Sequence, residues 1–62
     1  MMTQHTSSGC TIEYLRDIVI VSGPREAREH ETRRILNRFA CSGRPLHIAE
    51  HDAEHIILRA ET

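Results

Sequence analysis

Lysine is absent from this chain. All eight basic residues are arginine, and against nine carboxylates they leave a formal charge of -1 and a pI near 6.5. That balance argues against a general nucleic-acid binder, which is usually basic. Aromatics are almost absent, with Phe39 the one in the central charged stretch, so there is no platform for stacking bases. Cysteine is confined to Cys10 and Cys41, too few for a disulfide framework, and the pair reads as two reduced thiols of a cytosolic protein. No apolar run approaches the roughly 20 residues of a membrane span. Met1 to Gly9 is polar and lacks the apolar core of a signal peptide, so the expected location is the cytoplasm. Catalytic and cofactor motifs are missing too: there is no Cys-x-x-Cys and no His-Glu-x-x-His. The expected protein is therefore no enzyme and carries no cofactor.

What is present is one domain of 62 residues. A chain this short buries only about 60% of its unfolded surface, so a partner surface would help it. Residues 1–9 read as a disordered tail and 10–62 as a single small α+β domain. The organising stretch is Gly23 to Gly43. Gly23-Pro24-Arg25-Glu26 reads as a helix start, with Pro24 at the first helical position and Glu26 at the positive end of the dipole. Cys41-Ser42-Gly43-Arg44-Pro45 reads as a stop, Gly43 taking the left-handed conformation. Ile35, Leu36, Phe39 and Ala40 make an apolar stripe in the second half of the helix. Traced backward it meets Thr32 and Arg28, which predicts a helix anchored at its far end and solvated at its near end.

Asp17 to Val21 carries four β-branched apolar residues in a row and reads as a central strand. Thr11 to Leu15 reads as a strand, with one helical turn as the alternative. Leu46-His47-Ile48 and Ile56-Ile57-Leu58 are two short strands, with a three-residue loop at His51 to Ala53 keeping their apolar faces in step. The order is β-α-β-β with an optional strand before it, and strand–helix–strand favours a parallel crossover. One helix then covers one sheet face. The other face, expected to bear Val19, Val21 and Ile57, is left to solvent or to a second copy in a homodimer.

Four groups of residues could carry chemistry. His47, His51 and His55 recur at a spacing of four, which would suit zinc on a helix, but Pro45 and Ile56-Ile57 point to strands instead. Cys41 lies at a helix C-terminus, where the dipole raises rather than lowers a thiol pKa, so it reads as a small buried residue beside Phe39. Ser22-Gly23-Pro24 occupies a strand-to-helix junction but lacks a phosphate loop's spacing, and Pro24 removes an N–H. Charge is the remaining signal. Residues 24–43 hold five Arg against three Glu, and residues 44–62 hold two Arg against four acids. The helix residues Arg25, Arg28, Arg33 and Arg34 and the acidic turn Glu50, Asp52 and Glu54 form a dipolar surface suited to a charged protein partner. The carboxylates of the turn look superfluous to folding, because a tight turn more often uses Gly or Asn.

In size and Arg-rich style the whole chain resembles the very small free-standing proteins encoded by bacteriophages and mobile elements of GC-rich bacteria. Anti-CRISPR proteins are the best-known class. The resemblance implies a non-enzymatic inhibitor or adaptor in the host cytoplasm that covers a surface of a nuclease complex. The alternative is a small dimeric DNA-binding regulator that uses the Arg-bearing helix.

Overall fold

The computed structural model describes residues 2–61. Along the chain run β1 (Met2–His5), β2 (Thr11–Tyr14), β3 (Ile18–Ser22), α1 (Arg25–Cys41), β4 (Leu46–His51) and β5 (His55–Ala60). The strands form one sheet in the order β1-β2-β3-β5-β4, with every adjacent pair antiparallel. The α+β class and the helix on one face are as the sequence indicates. The element order has two strands more before the helix than the minimal β-α-β-β.

The first extra strand arises where an unpaired tail was expected. Met2–His5 pairs with β2 through a turn at Thr6 to Gly9. The Thr6 hydroxyl accepts the Cys10 N–H at 3.0 Å, and the Gly9 N–H donates to the Thr6 carbonyl at 3.1 Å. Gly9 has φ +91°, a left-handed value that suits glycine. A polar edge strand needs backbone pairing and no apolar content, so composition does not reveal it. Met1, the rest of that expected tail, lies outside the described residues. The second strand, β2, follows the preferred reading, and Arg16-Asp17 turns it into β3, with the Leu15 N–H on the Ile18 carbonyl at 2.8 Å.

The crossover is parallel but not adjacent. β3 and β4 run the same way, and the antiparallel β5 lies between them. The loop joining β4 to β5 is Asp52 to Glu54, one residue later than expected. A bulge between Ile48 and Glu50 absorbs that shift, so Leu46 and Ile48 still share a side with Leu58.

Faces follow from the pleat. Ile12, Val19, Val21, Ile56 and Leu58 are buried with Ile35 of the helix in the core. Val19 and Val21 therefore face the helix and not the open side. The open side shows Ile18, Ile20 and Ile57, all half-buried, and Ile57 alone is where the sequence placed it. Which parity of an all-apolar strand faces in is set by its neighbours, here Ile12 opposite Val21 and Leu58 opposite Val19.

The helix ends in a Schellman arrangement. The Arg44 N–H donates to the Phe39 carbonyl at 2.9 Å and the Gly43 N–H to the Ala40 carbonyl at 3.3 Å, with Gly43 at φ +81°. At the start, Pro24 is the extended residue before the first turn (ψ 144°) and not the first helical one. Gly23 has a steric duty that its sequence neighbours hide. A Cβ there would sit 2.9 Å from Cys10 Cα, so the β1–β2 turn packs directly on the helix entrance. Cys10 is accordingly buried, whereas Cys41 is exposed and not tucked beside Phe39.

Candidate functional site

The buried residues of α1 lie in its near half and middle, which overturns the expected anchoring at the far end. Arg28, Glu31, Thr32 and Ile35 are all buried, while Leu36 and Phe39 are half-buried and Ala40 is exposed. The cause is position over the sheet: the helix enters from the top of β3, where the loops 6–10, 23–24 and 52–54 crowd around it.

Arg28 holds this end together. Its Nη1 donates to the Gly23 carbonyl at 2.9 Å and the Ala53 carbonyl at 3.0 Å. One nitrogen thus ties the helix entrance to the β4–β5 turn, and charge-assisted bonds of this kind contribute about 1.5–3 kcal/mol each. The side chain is 6% exposed and is not free to meet a partner. Glu31 does the same for the other hairpin. It accepts from the Ser8 hydroxyl at 3.4 Å and from Arg34 Nη1 at 3.3 Å. The exposed Arg25 lies 3.6 Å from Glu29 one turn on. Arg33 is exposed and belongs to none of these pairs. Of the four arginines expected to bind a partner, then, one is internal and two are engaged on the helix itself.

The acidic turn divides likewise. Asp52 is the turn's own cap, its Oδ1 accepting the N–H groups of Glu54 at 2.8 Å and His55 at 2.7 Å. Those two backbone donors, and to a smaller degree the nearby His55 ring, hold its carboxyl below the usual value of 3.8. This carboxylate therefore helps to shape the turn. Glu50 and Glu54 are exposed and carry no such bond. The histidines are scattered. His47 and His55 lie on the open sheet face, four residues apart in register along β5, roughly 13 Å at 3.3 Å per residue. His51 pairs with Ile56 on the helix side. Among the described residues no group of three or more His, Cys, Asp or Glu is placed to hold a metal ion.

A further surface went unread in the sequence. On the helix side the sheet is closed over β2, β3 and β5, where Ile12, Val19, Val21, Ile56 and Leu58 are buried with Ile35, and it is open at its edges, at Ile48 of β4 and, beside the helix, at Met2 of β1. Two clefts of about 630 and 500 Å³ lie there, sharing Gln4, Tyr14 and Arg38 along their boundary. Ile12, Ile35, Phe39 and Met2 line the groove, and Arg34, Asn37 and Arg38 stand on its helix side. Met2 is 62% exposed. The signal that could have found it is arithmetic: a single helix is too narrow to cover five strands. Among the described residues no helix is long and apolar enough to cross a membrane. No protein-family model, no curated protein and no solved structure matches this chain.

Proposed function

We propose that the protein is a non-enzymatic protein-binding inhibitor or adaptor, in the form of a small phage-type inhibitor that blocks a nuclease effector complex. The observation that carries protein binding is the unfinished second layer of the fold. One helix covers the middle of the five-stranded sheet and not its edges, and apolar side chains stay open on both sides of the sheet, Met2, Tyr14, Phe39 and Ile48 on one and Ile18, Ile20 and Ile57 on the other. Exposed apolar surface rimmed by charge is characteristic of protein interaction sites. The nuclease-complex target rests on the chain's size and all-arginine basic set. The DNA-regulator alternative is weakened by the burial of Arg28 and by the ion pairs of Arg25 and Arg34.

The test is a titration of the purified chain against candidate nuclease effector complexes, with a short DNA duplex as the counter-arm. Stoichiometric loss of nuclease activity supports the reading. Salt-dependent binding to the duplex with no effect on any complex removes it. Glu50→Ser with Glu54→Ser leaves the Asp52 cap in place and should slow association several-fold if the acidic turn steers the encounter.

A further inference from the structure

We draw no further inference here: the strongest candidate, the apolar patch of Ile18, Ile20 and Ile57 on the sheet face away from α1, consists of three half-buried side chains, and nothing in the structure shows what covers it.

Discussion

The two halves of α1 invert the usual relation between hydrophobicity and burial. The first half buries Arg28, Glu31 and Thr32; the second buries Ile35 and leaves Leu36 and Phe39 half-buried and Ala40 exposed. The difference lies in what is beneath and around each half. At the entrance, three loops close over the helix and supply carbonyl and hydroxyl partners for Arg28 Nη1 and Glu31, while Arg28 Nε and the Thr32 hydroxyl are buried without one. Farther on, the β1 edge of the sheet beside the helix is open, and apolar side chains line a groove without filling it. Burial here is decided by neighbours, and partners offset much but not all of its polar cost.

The strongest test of the contrast sets Ile35 against Phe39. Ile35→Ala should cost about 2–5 kcal/mol, because the residue is enclosed by the sheet core. Phe39→Ala should cost less than the roughly 3–5 kcal/mol of a fully buried ring. Denaturant titration of both variants decides it, and a larger loss at Phe39 would place the core at the far end of the helix. The next test stays with charge. Arg28→Met leaves the carbonyls of Gly23 and Ala53 without their donor and should cost about 2–4 kcal/mol, whereas Arg38→Met should stay within about 0.5 kcal/mol. Equal effects in melting curves would mean that Arg28 is as dispensable as a surface residue.

Gly43→Val comes third, at about 1 kcal/mol or somewhat more. A Cβ at Gly43 meets open space, so the cost is one of torsion at φ +81° and not of clash. Gly43→Asn should recover much of it in the same thermal melts. Thr32→Val should be neutral or stabilising by up to about 1 kcal/mol, since the buried Oγ1 has no hydrogen-bond partner. A clear destabilisation by urea titration would point to a partner for that hydroxyl. The smallest effect is at the turn. The Asp52 carboxyl is held below 3.8 by two backbone donors, so its contribution to stability is present above that pH and is lost as pH falls through the lower folded-state value. Asp52→Asn should flatten the acid limb of a melting-temperature profile below about pH 4. An unchanged limb would assign acid sensitivity to other carboxylates.

Much of this fold was legible. Asp17 to Val21, the Gly43 stop and the two C-terminal strands follow from β-branched runs and helix-ending chemistry, and all are present. β1 was not legible, because a polar edge strand is specified by the Thr6–Gly9 turn and not by its own side chains. Arg28 was read as a surface cation because its partners are backbone carbonyls, one of them 25 residues along the chain, and carbonyls carry no residue signature. Asp52 was closer to reach. An Asp at the head of a loop, with free N–H groups two and three residues on, is a turn-capping signal. The groove was invisible because it depends on where α1 sits across the sheet, and the register that fixes this involves pairs such as Ile20 with Ile57.

The position of β5 has a consequence for synthesis. Both of its sheet neighbours, β3 and β4, come earlier in the chain, and β4 has no other strand partner. While a ribosome is still making the chain, β1 to β3 can pair as a meander, and α1 can coil. The half of the core that Ile56 and Leu58 provide is then still missing. The sheet is complete only when β5 enters between two earlier segments. A chain that ends before His55 would expose the very apolar faces that the finished molecule hides, and such species are where aggregation begins.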